Sequence, residues 1–312
     1  MVKRQLPLFA NEPDNPKDIT RKTPFGATFE LFRQHLAQEG KSEHTIKAFL
    51  ADLNLLGEFS DLQTPITNYT TTNLNEFLHW MEYGRGVACS RKTYARRVTS
   101  LKVFFKWLKT VGALTHDPAQ AVLQRSGPAP LSQVLTPDDE KSAILAAQGM
   151  KKGDEHDHRP EFLFLLLLET GIKKSEAGRL TLKDFDRSNP EQPLVFIRHK
   201  TKNVYKERRI AITPHLYSAY EEYKAQYLPK DTIFTCTTRN LEYILTDIGE
   251  RADIPFKLSF EVMRWTSATR DYRAGLEEDT IREKMGLSRT SWYETSAKIK
   301  QLSAQINEQQ AR

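Results

Sequence analysis

Cysteine is nearly missing. Cys89 and Cys236 are the two among 312 residues, far apart and in no metal-ligand spacing, so a disulfide framework and a cysteine-built zinc site are excluded. A reducing compartment is the expected setting, with the chain cytoplasmic. No long apolar run occurs either: the longest, Phe162 to Leu168, has seven residues, whereas a bilayer takes about 20. It reads as a core helix, and no membrane partner is expected. The start, "MVKRQLPLFA", is basic, but Pro7 interrupts it and no sustained apolar region follows, so no signal peptide is expected. No internal repeat stands out.

What is present is an ordinary water-compatible mixture, 39% hydrophobic and 28% charged, which excludes a disordered or fibrous chain. Lysine and arginine number 46 against 40 acidic residues, a net charge of +6. That excess mildly favours a polyanionic partner. The length predicts two domains of ordinary size.

Residues 1–24 hold four prolines and little to bury, which predicts a flexible arm. An all-helical region over 25–124 follows. Phe29, Phe32 and Leu36 share one face before Gly40; Ile46, Phe49, Leu50, Leu53 and Leu56 recur at helical spacing after a Ser42 cap; "TTNLNEFLHWMEYG" gives a third helix. In the fourth, Tyr94, Val98, Leu101, Phe105 and Leu108 form a core stripe. Arg91, Lys102, Lys106 and Lys109 fall together on its flank, and from Arg85 to Lys109 there are eight basic residues and no acidic one. A solvated face and a phosphate-contacting face both fit.

Pro, Ser and Gly accumulate between Leu123 and Asp139, which places a linker at 125–135. Thr136 with Pro137 then opens a helix. The loop "KKGDEHDHRP" offers Asp154, His156, Asp157 and His158 as metal ligands, but no second cluster supports them. No metal or cofactor is expected. Val195 and Ile197, then Ile210 and Ile212, alternate around a polar stretch, the pattern of a hairpin. Six of the residues from Arg198 to Arg209 are basic and one is acidic. From Pro214 the pattern is helical again. The second domain is placed at 136–300 and a C-terminal tail at 301–312.

Together these segments resemble the tyrosine recombinase, or phage integrase, family from about residue 25 to 300. "KSEHTIKAFLADLNLLGEFS" and "TYARRVTSLKVFFKWLKTVGALTHDPA" look like its core-binding helices. "TGIKKSEAGRLTLKDFD", "HKTKNVYKERRIAI" and "FEVMRWTSATRDYRAGLEEDTIREKMGLSRTS" look like its catalytic landmarks, in the family's order. The resemblance implies a mainly α fold with a small β-sheet: a SAM-like helical core-binding domain and a mixed α/β catalytic-type domain, closing as a C-shaped clamp on double-stranded DNA. The basic flank of the fourth helix and the hairpin residues Arg198, Lys200, Lys202, Lys206 and Arg208 then become phosphate contacts. The last helix, with Ile299, Leu302 and Ile306 on one side, is implied as a surface for a second copy or a partner recombinase; packing within its own domain fits that stripe equally.

The family's reaction is a transesterification in which a tyrosine attacks a DNA phosphate and forms a 3′-phosphotyrosyl link. Two arginines hold the phosphate, a lysine and a histidine serve proton transfer, and a further histidine or tryptophan supports it. By this resemblance Lys173 occupies the first arginine slot, Lys200 the lysine slot, with Lys202 a near competitor, and Arg264 the second arginine slot. Glu261 and Leu287 stand where histidines are implied. Ser291 and Glu294 read as a capping box like the family's Ser-x-x-Gln, and counted from it the tyrosine falls on Ser296, with Tyr293 one turn earlier. A DNA-binding protein with strand transfer absent or weak is therefore the expectation. The alternatives are an active recombinase that uses Tyr293 and a scaffold that binds protein and no DNA.

Overall fold

The computed structural model describes residues 13–124, 131–199 and 206–310. The chain divides into two compact units, Met1–Ala129 and Pro130–Arg312.

In the first unit, α1 (Phe29–Gln38), α2 (Glu43–Ser60), α3 (Thr71–His79) and α4 (Arg91–Thr110) enclose one core. Each of the last three starts where a hydroxyl satisfies a backbone donor of the first turn. Ser42, Thr70 and Ser90 accept from Thr45, Asn73 and Thr93 N–H groups, each at 3.2 Å. After α3 the chain passes through one π turn, Trp80–Gly84. Phe104 centres an aromatic cluster, meeting Phe25, Phe32 and Phe105 edge-on at 5.3, 5.1 and 5.2 Å between centroids. The positive ring edges there face negative ring faces. Residues 16–24 depart from the expected flexible arm: Ile19 lies in this core, Ile66 N–H donates to Thr23 O at 3.1 Å, and Pro24 bridges Pro65. One apolar side chain and two backbone contacts suffice to tie them down.

One carboxylate sits inside this unit. Asp52 accepts from Arg96 Nη1 at 2.5 Å and Ser100 Oγ at 2.8 Å, while its Oδ1 lies 3.6 Å from Arg97 Nε with no hydrogen bond to either atom. Burial pushes the Asp52 carboxyl above its ordinary value, outweighing Ser100 and the two arginines.

In the second unit α6 (His158–Thr170) is the central helix. It is apolar nearly all round because α5 (Pro137–Gln148), α8 (Pro214–Tyr227), α9 (Thr238–Arg251) and α10 (Phe260–Arg273) pack about it. Thr136 caps α5 with Pro137 behind it, and Thr136 Oγ1 accepts from Asp139 N–H at 3.2 Å. Leu135, expected in the linker, already belongs to this core, and its N–H donates to Thr266 Oγ1 at 3.0 Å. A small hairpin of β1 (Lys151–Lys152) and β2 (Glu155–His156) precedes α6. Short α7 (Lys174–Ala177) leads to an antiparallel sheet in the order β3 (Phe185–Asp186), β4 (Leu194–Ile197), β5 (Arg208–Ala211), with Val195 opposite Ile210.

After α11 (Glu278–Lys284), α12 (Arg289–Gln310) runs as one helix through the residues expected as a tail. Ile299 joins Ala268, Ile281 and Met285 in a third apolar cluster, and Leu302 and Ile306 are buried too. The stripe implied as an assembly surface is thus turned inward in the single chain. No helix among the described residues is long and apolar enough to cross a membrane.

Asp52→Ala should lower the unfolding free energy by about 3–5 kcal/mol in urea titrations, because Arg97 is left buried without a counter-charge. The double variant Asp52→Leu/Arg97→Met should recover most of that loss.

Candidate functional site

The candidate site is built where α6 ends. Gly171 takes the left-handed conformation, φ 56°, and its N–H donates to Leu167 O at 2.9 Å. A Cβ there would lie 3.1 Å from Ser267 of α10, so glycine lets the turn pack close against that helix. One turn before Ser267, Arg264 reaches back from α10. It donates to Gly171 O at 2.7 Å and, through Nη2, to Met285 O.

Lys173 follows, half-buried, at the entry to α7. Glu176, three residues on, accepts its backbone N–H at 2.9 Å. The Glu176 carboxylate is itself out of water, with 3% of its side chain exposed, and Arg208 grips both oxygens at 3.1 and 2.9 Å with 5% exposure of its own. Burial alone would raise the Glu176 carboxyl, but the hydrogen bonds and charge of Arg208 outweigh it and hold the group below its ordinary value.

Around that carboxylate the field is positive. Burial lowers the Lys173 ammonium, Arg264 adds to the shift, Glu176 opposes it, and Arg208 and Lys206 contribute further. Arg264 is pushed down to about 10, first by burial, with Glu176 opposing and Arg208 adding. With Lys173, Arg208 and Arg264 all acting on the one carboxylate, the site is one that an entering anion would relieve.

The other anticipated residues are spread more widely. Arg208 is corrected from a surface phosphate contact to a buried ion-pair partner. The strand period explains it: Ile210 and Ile212 point inward, so Arg208, two residues before Ile210, shares their face. Glu176 is the residue that sequence reasoning missed; a glutamate at the third position of a helix that follows a Thr-Gly turn was the available signal. Arg198 is largely exposed and donates to Asp184 at 2.6 Å. Lys200 and Lys202 lie outside the described residues. Lys206 is half-buried, and its carbonyl accepts from Arg208 Nη1 at 2.9 Å. On α4, Arg91, Lys106 and Lys109 are exposed and Lys102 half-buried, and none of the four forms an ion pair among the described residues. Arg96 and Arg97 of the same basic run are instead turned to Asp52.

Glu261 is exposed on the first turn of α10. Leu287 packs beside the third apolar cluster. The opening of α12 differs from the expected Ser291–Glu294 box. Ser288 is the cap: its Oγ accepts from Ser291 N–H at 3.2 Å, and Glu294 turns to Lys298 at 2.6 Å. Gly286, left-handed at φ 60°, ends the preceding turn so close to Ser288 that the helix begins three residues sooner. Ser296 Oγ donates to Tyr293 O at 3.2 Å within the helix, and Tyr293 is 86% exposed. Among the described residues no three His, Cys, Asp or Glu side chains converge on a possible metal position.

The helical unit followed by a small sheet and helices around α6 is the arrangement of a phage integrase, and family models agree in the same order. "Phage integrase, N-terminal SAM-like domain" matches residues 29–112 and "Phage integrase family" matches residues 133–298. The chain belongs to the phage integrase, or tyrosine recombinase, family. It is 32% identical over 164 residues to tyrosine recombinase XerC of Mycobacterium sp. (strain JLS), covering 52% of this chain and 55% of that protein. XerC of Mycobacterium leprae (strain TN) is 32% identical over 162 residues, 51% and 54% of the two chains. The match thus spans about half the length of these curated relatives. A lambda integrase dimer bound to a COC' core site superposes with a TM-score of 0.68 at 13% identity, over 87% of this chain and 76% of that one. The Tn1549 transposon integrase in complex with transposon right end DNA gives 0.67 at 20%, over 88% and 99%. At such identities the likeness is one of fold.

Folding takes Lys173 to a lower pKa, so between that value and 10.5 the unfolded chain holds more protons and stability rises with pH. Lys173→Met should accordingly melt at a higher temperature than the parent at pH 7. The gap should narrow as the pH is raised toward 10.5, read by thermal melts across that range.

Proposed function

We propose that the protein binds double-stranded DNA and serves DNA recombination or integration, with strand transfer absent or strongly weakened. Phosphate is received at Lys173 and Arg264, and the basic flank of α4 contacts the backbone on binding; duplex DNA rewards such surfaces by releasing its counterions. The observation that carries the weakened chemistry is the pairing of retained charge with missing proton donors. Lys173 and Arg264 gather around Glu176, whereas Leu287 lies against apolar neighbours and Glu261 faces water. A leucine donates no proton, and a carboxylate near phosphate repels it. Lysine for arginine also gives up the planar fork that clamps two oxygens, and losing one such donor costs about 3–4 kcal/mol of transition-state stabilisation.

A second reading, an active recombinase with Tyr293 as nucleophile, is favoured by the start of α12. The family resemblance places the tyrosine five positions after the serine of its Ser-x-x-Gln box; counted instead from Ser288, the serine that caps α12, the same interval ends on Tyr293 and not Ser296. Tyr293 is also the accessible one of the two, and its hydroxyl donates to no described residue. On an α-helix the two positions differ by about 60° and about 4.5 Å, so they present quite different hydroxyls to a phosphate.

Incubation with nicked suicide duplexes, followed by denaturing electrophoresis, separates the readings. No covalent protein–DNA adduct is expected; an adduct that forms and is lost in Tyr293→Phe would establish the second reading instead. For binding, affinity should fall steeply with salt, and Lys102→Ala or Lys106→Ala should each make the log–log slope shallower by about one. Salt-insensitive binding, or none to any duplex, removes the DNA reading.

A further inference from the structure

Two arginines of the second unit bridge the same pair of turns. Arg264 crosses from α10 to Gly171 O and Met285 O. Arg208 crosses from β5 to the neighbouring atoms of both turns: its Nε donates to Lys284 O at 2.5 Å, and its two terminal nitrogens hold Glu176, which receives the Lys173 N–H. A separate feature of the backbone fits this crossing. Gly286 has φ 60°, and a Cβ there would stand 2.9 Å from Arg208 Nη1, so a side chain at 286 would press on the guanidinium. The turn approaches Arg208 more closely than a residue with a side chain permits.

The geometry points to Arg208 as a positioning residue. It fixes the spacing between the Lys173 turn and the Lys284–Gly286 turn, and through them the place where Lys173 and Arg264 meet one phosphate. With 5% of its side chain exposed and its charge matched by Glu176, Arg208 acts through these groups and not by touching DNA. Because it also belongs to β5, it ties the sheet to the same point. The assignment rests on the proposal that Lys173 receives phosphate. A lysine at 208 keeps the charge, but one ammonium cannot reproduce a planar fork that reaches Glu176, Lys284 O and Lys206 O together.

The test measures binding of the full chain to a fluorescein-labelled mixed-sequence duplex across a salt series, with Lys173→Ala introduced into the parent, Arg208→Lys and Glu176→Gln. In the parent, Lys173→Ala should make the slope shallower by about one. In Arg208→Lys and in Glu176→Gln it should cause no further change, while Lys106→Ala still removes about one in every background and so reports a chain that remains folded and bound. A role confined to stability would shift melting temperatures and leave the Lys173 decrement intact. That outcome, a decrement of about one in all three backgrounds, overturns the assignment alone. If Lys173→Ala leaves the parent slope unchanged, the phosphate reading fails and the assignment falls with it.

Discussion

The buried pair of Arg208 and Glu176 is the contact on which the candidate site depends. Removing two charges from water costs several kcal/mol per ion, and attraction compensates only where geometry is good and remaining donors and acceptors are satisfied. Here they are. Both carboxylate oxygens are gripped, one also takes the Lys173 N–H, and the guanidinium places two of its other three hydrogens on Lys284 O and Lys206 O. Strand β5, the turn after α6 and the end of α11 therefore share one set of polar contacts, and none of these segments can shift without leaving a buried group unpaired.

Asp52 in the first unit shows the same chemistry incompletely solved. Its Oδ1 and the facing Arg97 Nε lack hydrogen bonds, and burial then prevails and raises its carboxyl. Glu176 is comparably buried and moves the other way. The difference lies in the number and alignment of donors, since a carboxylate held bidentately by arginine is stabilised in its charged form far more than one approached from the side. Arg264 stands between these cases, its charge turned toward two carbonyls and its affinity for a proton reduced by burial.

Much of this was legible in the chain. Ser42 and Thr136 stand just before apolar periodicity and do cap α2 and α5; the alternation of Val195, Ile197, Ile210 and Ile212 places β4 against β5. Arg208 was legible as well, because period two assigns it the face of Ile210, yet a run of basic residues reads more readily as a surface. Arg97 repeats that lesson on a helix, lying four residues before buried Leu101 on the same face. The cap of α12 was not legible. Ser288 and Ser291 both precede plausible helix starts, and the choice falls to the left-handed turn at Gly286 and the packing of Leu287, neither a local property of the serines.

Sequence by itself determined the family, the order of helices and strands, and the chemical types available to the site, because periodicity, capping and turn residues act over a few neighbours. Tertiary structure decided which charges face water and which face each other. It turned Arg208 and Arg97 inward, left Arg91, Lys106 and Lys109 outward, and began α12 at Arg289. The reason is that the free energy of a charge is set by the groups within a few ångströms of it. For Arg208 and Glu176 those groups lie 32 residues apart in the chain.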